Sequence, residues 1–397
     1  PVSGDGDFDF TRASSATRVN KDGLIETVAL NVPRLDYSND GCPSLLLEPS
    51  RSNLFPYSED FSNAYWVKLN STTSSNQSIS PNGSLSASKI TMTSANAEHS
   101  IYNTISVTNG LDYSSSIFIK KGDGSANWRY FQFRYRGGGF TTSNKGVVID
   151  IEDGAITYNN GLENFGIEDY GNGWFRVFIT ALSTSTASNA GLVFAFNEIS
   201  SGFDVVFNGD INENVFFYGA QVEQGSYATS YIPTNGTAVT RAAETATGAG
   251  DASTFNDSEG VLYAEISALA NDSTYKLITL SDGSGNNRIA FFYGDTSNQI
   301  RFFVTSNGSS QVDQNTTSFD IKLSNKIALK YKENDFALWI NGHEILTELQ
   351  GITPSGLNDL SFAEFNKTGN PFYGNVKDVR VYNNALTDAE LINLTKI

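Results

Sequence analysis

The sequence predicts an all-β protein: an extended N-terminal arm followed by two β-sandwich domains. Three observations predict it. Short runs of alternating apolar and polar residues recur along most of the 397 residues, the period of half-buried strands. Turn-forming pairs separate these runs, among them Asn109-Gly110, Asp123-Gly124, Asp153-Gly154, Asn160-Gly161, Asn172-Gly173 and Asn341-Gly342. Such pairs tolerate the backbone angles of tight turns. Charged residues make up 17% of the chain, below the roughly 25% usual for globular proteins. Asn, Ser, Thr and Gly fill the difference, a composition suited to sheets with polar turns and to extracellular surfaces. With 27 Phe, 18 Tyr and 4 Trp, the chain has the apolar mass that disordered segments lack.

The arm is expected over residues 1–52. Its apolar runs are short, and Pro33 and Pro49 bound two of them. The run Leu45-Leu46-Leu47 needs burial against a neighbour, either the next domain or another subunit, and on that ground a homo-oligomer, a trimer, is expected. Residues 53–233 are expected to form the first sandwich, a jelly roll of about nine strands. Its strands are placed at 88–93, 100–107, 113–120, 128–135, 146–151, 155–158, 174–182, 191–196 and 215–222. Residues 234–255 are small and polar, as a linker between domains would be. Residues 256–397 form the second sandwich, with strands at 260–267, 276–281, 288–293, 299–305, 318–320, 326–332, 336–340, 343–348, 359–362 and 373–382. Asn341-Gly342 marks a two-residue hairpin. Helical character comes last, with Thr387 as N-cap and Glu390 at the capping-box position.

Several function classes are excluded early. A net charge of −17 disfavours nucleic acid and anionic membranes, which need a basic face. No apolar run reaches the roughly 18 residues of a membrane span. The single cysteine, Cys42, allows no internal disulfide. The chain starts at Pro1 with no Met and no signal-like segment, which reads as a fragment or a processed form. Two histidines, His99 and His343, both read as exposed residues near turns, and there is no Gly-x-Ser-x-Gly elbow, zinc spacing or phosphate loop. A glycosidase needs two carboxylates about 5–9.5 Å apart across one site. Glu152-Asp153 and Glu168-Asp169 sit in turns instead, so no catalytic residues are assigned and the protein is not expected to be an enzyme.

Two stretches carry resemblances. Residues 215–244 run from a strand ending Gln221-Val222-Glu223, through Gly225-Ser226-Tyr227-Ala228-Thr229-Ser230-Tyr231-Ile232-Pro233-Thr234, to Thr240-Arg241-Ala242. The arm carries Arg12-Ala13-Ser14, Ala16-Thr17-Arg18, Asp22-Gly23-Leu24-Ile25-Glu26, Pro33-Arg34-Leu35-Asp36-Tyr37 and Leu45-Leu46-Leu47-Glu48-Pro49. In that order these segments resemble phage and prophage tail-associated proteins with a carbohydrate-binding-module-like jelly roll. Leu338-Trp339-Ile340-Asn341-Gly342 and the closing run 373–390 resemble a concanavalin A-like, laminin-G-like sandwich. The resemblances imply a non-catalytic structural or adhesion component displayed on the tail or capsid of a phage or phage-like particle. Its partners would be glycans on bacterial or environmental surfaces and other virion proteins, and its location the virion surface or extracellular space. The alternatives are a secreted or cell-surface lectin-like protein and, behind it, a polysaccharide-degrading enzyme.

Calcium is the one cofactor the resemblance raises, because both folds often bind it through about six to eight oxygens. Candidate ligands are Asp5, Asp7 and Asp9 in the arm, and Asp204, Asp210, Asn212 and Glu213 before the closing strand of the first sandwich. The other reading is acidic loops without an ion. The sharpest binding expectation is the strand at 128–136. Alternation points Phe131, Phe133 and Tyr135 to the core and Trp128, Tyr130, Gln132, Arg134 and Arg136 to the opposite side. Rings cover sugar C–H faces and the polar groups meet hydroxyls, though the same face could serve as a subunit contact or plain surface. Trp339 is expected to pack against a neighbouring sheet or domain.

Overall fold

The computed structural model describes residues 7–38, 41–124, 128–140 and 144–397. It is nearly all β, with one short helix, Asp388–Thr395. The chain divides into two compact units. One holds Ala16–Thr27 and Ser50–Arg241; the other holds the residues up to Ser15, Val28–Pro49 and Ala242–Ile397.

The first of these units is a sandwich of two six-stranded antiparallel sheets. One runs in the order Ala155–Asn160, Gly146–Asp150, Tyr130–Arg136, Ala187–Asn197, Ser100–Val107, Val67–Leu69. The other runs Asn164–Asp169, Trp174–Leu182, Asp112–Lys121, Asn214–Gln224, Leu85–Met92, Ser71–Ile79. Period-two alternation sends Phe131, Phe133, Phe194, Ile117, Ile119, Phe217 and their neighbours into one core. The second sheet also buries part of its other face: Phe118, Trp174, Phe216, Tyr218 and Tyr231 cluster with Ile25, and Ile25 N donates to Pro81 O at 2.9 Å.

The second unit has a seven-stranded sheet in the order His343–Glu348, Phe336–Ile340, Asn325–Lys332, Glu259–Ala268, Gly374–Tyr382, Ser44–Leu47, Leu35–Asp36. Facing it is a five-stranded sheet in the order Ser309–Thr316, Ile300–Ser306, Arg288–Tyr293, Lys276–Ser281, Asp359–Ser361. The Asn341-Gly342 hairpin forms as the sequence predicts, with φ of 52° and 82° at the two turn residues and Ile340 paired to His343. The capping box at Thr387 and Glu390 is also present, and the helix sets Leu391 against Val261, Tyr263 and Trp339.

Three expectations need correction. Residues 1–52 are not one arm docked on a single neighbour: they are divided between the two units. Leu45, Leu46 and Leu47 pair with Val376, Asn375 and Gly374, so the chain's own early segment supplies two strands of the seven-stranded sheet. Leu46 and Leu47 are buried there, which removes the ground for requiring a second subunit to cover them. The linker expected over 234–255 is instead structured. Val239–Arg241 pairs with Arg51–Asn53, and Thr245–Thr247 pairs with Asp9–Thr11. The strand expected at 318–320 is absent, and the neighbouring polar segment Ser309–Thr316 takes its place in the sheet.

A buried charge network holds the early segment in its unit. Arg12 Nη1 donates to Glu244 Oε1 at 2.7 Å, Arg34 Nε to the same oxygen at 2.7 Å, and Arg34 Nη2 to Glu48 Oε2 at 2.8 Å. All four side chains are almost wholly buried. Burial works against the Arg34 charge; Glu48 and Glu244 outweigh it and hold its pKa above the ordinary guanidinium value. The motif residues that stood out in the sequence therefore meet in one place.

Candidate polar-aromatic site

Strand Tyr130–Arg136 lies between Gly146–Asp150 and Ala187–Asn197, with Gln132 opposite Ala195 and Arg134 opposite Val193. The alternation read from the sequence holds inside this strand. Phe131, Phe133 and Tyr135 lie in the core, and Tyr135 Oη donates to Tyr113 O at 2.7 Å. Tyr130, Gln132, Arg134 and Arg136 share the other face.

Trp128 does not join them. The strand begins at Tyr130, so its period does not govern Trp128. The indole packs at the end of the core, with ring centroids 5.1 Å from Phe207 and 6.1 Å from Phe196, and its Nε1 donates to Tyr130 O at 3.1 Å.

Gln132 and Arg134 share the expected face but are covered. Their exposures are 0% and 1%. Residues 198–206 cross this part of the sheet: Gln132 Nε2 donates to Asp204 O at 2.7 Å, and the Arg134 guanidinium lies 5.7 Å from the Phe203 ring centroid. Asn197 anchors the crossing, its Oδ1 accepting from Asp204 N at 2.7 Å and its Nδ2 donating to Gly202 O at 3.0 Å. Arg134 Nε donates to Gln132 Oε1 at 2.7 Å and Nη1 to Asn144 Oδ1 at 2.7 Å. Its Nη2 stands 3.2 Å from Glu98 Oε1, in ion-pair reach but not aligned as a hydrogen bond. Burial holds the Arg134 pKa below the ordinary value, and Glu98 opposes that shift.

Tyr130 and Arg136, at the two ends of the strand, are the half-buried members of the face, and Arg136 is the one with a charged partner. Its Nη1 donates to Glu98 Oε1 and Oε2 at 3.1 and 3.0 Å, and its guanidinium lies 5.1 Å from the Tyr102 ring centroid. Tyr102 and Glu98 were missed because they lie on or just before Ser100–Val107, two strands away in the sheet, and only the register joins them to Arg136.

The calcium candidates are not gathered. Among the described residues no three His, Cys, Asp or Glu side chains form a metal-holding group. Asp204 Oδ1 accepts from Val206 N at 3.3 Å, and Asp210 Oδ1 from Asn212 N at 2.9 Å, so both carboxylates serve their own turns. Glu213 is buried, and Asp5 lies outside the described residues. His99 is also buried rather than exposed, with Nδ1 2.7 Å from Asn70 O and Nε2 3.1 Å from Ala95 O. The junction motif is structural: the buried Glu223 accepts from Gln221 Nε2 at 2.8 Å, from Thr229 N at 2.8 Å and from Thr229 Oγ1 at 2.6 Å.

Residues 251–392, less than half of the chain, match the concanavalin A-like lectin/glucanases superfamily. Among solved structures, the chain is similar to the Ruminococcus gnavus IT-sialidase CBM40 bound to α2,3-sialyllactose, at 19% identity and a TM-score of 0.31, over 35% of this chain and 84% of that one. It is similar to domain 4 of AbnA, an extracellular arabinanase of Geobacillus stearothermophilus in complex with arabinotriose, at 15% identity and a TM-score of 0.32, over 39% and 73%. It is also similar to domains LG4-5 of the mouse laminin α1 chain, at 9% identity and a TM-score of 0.27, over 74% and 89%. No curated protein matches the chain. The C-terminal segment of this chain is therefore similar in sequence to a superfamily of lectins and glucanases.

Proposed function

We propose that the protein is a non-catalytic, glycan-binding adhesion component displayed on the tail or capsid surface of a phage or phage-like particle. The observation that carries the glycan part is the Arg136–Tyr102–Glu98 group. A half-exposed ring supplies a stacking surface, and a guanidinium held by a carboxylate supplies directed donors at its edge, the combination that sugar rings and hydroxyls require. Beneath it, Gln132 and Arg134 act as positioning residues that hold the face and the covering segment. The particle part rests on the order of the arm and junction motifs. A secreted or cell-surface lectin is the second reading, favoured by the superfamily matched at 251–392.

A glycan array probed with the intact chain tests binding, and labelling of source particles for electron microscopy tests display. Tyr102→Ala and Arg136→Ala are expected to weaken the strongest array signal by about 1–3 kcal/mol, by analogy with other ring-stacking losses. Array binding unchanged in both variants would remove this site from the reading. Label found only on cells or in the medium would favour the lectin.

A further inference from the structure

We infer that the outer face of the five-stranded sheet in the other unit is a second binding site, specific for an acidic polysaccharide, and that Arg288 receives the ligand's carboxylate or sulfate group. Alternation sends Ile278, Leu280, Ile289, Phe291, Phe302 and Val304 inward to the core. The opposite side of the same strands carries Thr279, Arg288, Phe292, Arg301 and Phe303, with Ala290 paired to both Thr279 and Phe303.

These side chains form a row of rings. Tyr275 and Phe292 have centroids 5.7 Å apart, and Phe292 and Phe303 5.6 Å apart. The row continues through Arg288, whose guanidinium lies 4.4 Å from the Phe303 centroid and 5.1 Å from that of Phe365. Two rings thus clamp one guanidinium. Such contacts fix its orientation without satisfying its N–H groups.

The two arginines of the face differ. Arg301 is matched by Asp313 in a bidentate pair at 2.7 and 2.6 Å. Arg288 has no hydrogen bond or ion pair among the described residues, and its Nε is buried without a partner. Thr279 Oγ1 on the same face is also buried and unbonded. Burial holds the Arg288 pKa below its ordinary value, and Glu364 opposes that shift. Arg288 as a whole is half-buried, and a buried N–H with no acceptor is costly in the free protein. Two oxygens of a carboxylate or sulfate presented to its fork offset that cost with two charge-assisted hydrogen bonds. The chain's net charge of −17 opposes a bare polyanion, so the ligand must add stacking area. A sugar ring bearing an oxyanion supplies both, its C–H face on Phe303 or Phe365 and its charge on Arg288.

The inference shares only the glycan class with the proposed function; its residues lie in a different unit. Calorimetric titration of the intact chain uses polygalacturonate oligomers, dextran sulfate, neutral dextran and polyphosphate. Binding of polygalacturonate or dextran sulfate, with neither dextran nor polyphosphate bound at comparable strength, is expected, and the two acidic polymers separate carboxylate from sulfate. Arg288→Met is expected to weaken the acidic ligand at least about tenfold with an unchanged melting temperature. Arg288→Lys, which keeps the charge but loses the fork, should fall between, and it decides the matter if Arg288→Met melts early. No binding of either acidic polymer, equal binding of dextran or polyphosphate, or wild-type affinity in the Arg288 variants overturns the inference. Arg136→Ala is the control. Acidic binding lost there and kept in Arg288→Met sinks this site and leaves the proposed one standing; the reverse result supports this site alone.

Discussion

The two units treat their arginines differently. In the Ser50–Arg241 sandwich, the guanidiniums of Arg134 and Arg136 converge on one carboxylate, Glu98, and residues 198–206 cover the more buried of the two. In the other unit, Arg12 and Arg34 are enclosed with Glu48 and Glu244, Arg301 is matched by Asp313, and Arg288 is clamped between rings with no carboxylate bonded to it. An arginine on an aromatic face is thus ambiguous by itself. Its partners decide whether it serves the fold or remains open to a ligand.

The largest expected effect is at the enclosed pairs. Glu244→Ala leaves two buried guanidiniums without their shared acceptor, and removal of one member of a buried pair costs about 3–5 kcal/mol. The urea midpoint of the unfolding step that reports the Ala242–Ile397 unit should fall accordingly. A change below about 0.5 kcal/mol, the size of an ordinary surface substitution, would mean that the network does not hold the early segment.

Glu98→Ala should come next. It strands Arg134, at 1% side-chain exposure, while Arg136, at 35%, can turn to water. The expected loss is at the lower end of the buried-pair range, about 3 kcal/mol. Glu364→Ala is the counterpart on the other face. Because no hydrogen bond or ion pair joins Glu364 to Arg288, it should change stability by less than about 0.5 kcal/mol. Equal losses from Glu98→Ala and Glu364→Ala, read from the same denaturation curves, would break the contrast between a matched face and an open one.

Strand period, turns and the terminal helix cap were legible in the sequence because each is a local rule. Asn341-Gly342 needs only its own two residues, and Thr387 and Glu390 only each other. The edge strands Ser71–Ile79 and Ser309–Thr316 were not legible. Both are rich in Ser, Thr, Asn and Gln, and their place comes from backbone pairing with Leu85–Met92 and Ile300–Ser306. The early segment was misplaced for a related reason: pairing of Leu45–Leu47 with Gly374–Val376 spans most of the chain, and nothing local signals it. The face of Tyr130–Arg136 was read correctly within the strand and wrongly one step beyond it, at Trp128. Burial of Gln132 and Arg134 depends on Asn197 anchoring a loop some sixty residues away in sequence, and the opening at Arg288 depends on Glu364 acting on it without a hydrogen bond or ion pair between them. Alternation finds a polar-aromatic face; it carries no information about which of its charges are already matched.

The smallest effect belongs to a pair that is matched but exposed. Arg18 and Glu26 meet at 2.6 Å across the hairpin Ala16–Val19 and Ile25–Val28, with side-chain exposures of 27% and 38%. Hydrogen bonds from Arg18 and then Asn20 hold the Glu26 carboxyl below its ordinary value of 4.5. A carboxyl lowered in the folded state takes up protons more readily in the unfolded chain, so its stabilisation is fully present above that ordinary value. It is lost as pH falls through the lower folded value. Solvent screening limits the pair to less than about 1 kcal/mol, and added salt should shrink it further. Melting temperatures of the wild type and Glu26→Gln, taken from pH 6.5 down to pH 3, should differ slightly at the top of that range and converge at the bottom. A difference that widened on acidification would reverse the sign of the linkage. A loss as large as that of Glu98→Ala at neutral pH would show that exposure does not separate these pairs, and the contrast between buried and open arginines would have to be redrawn.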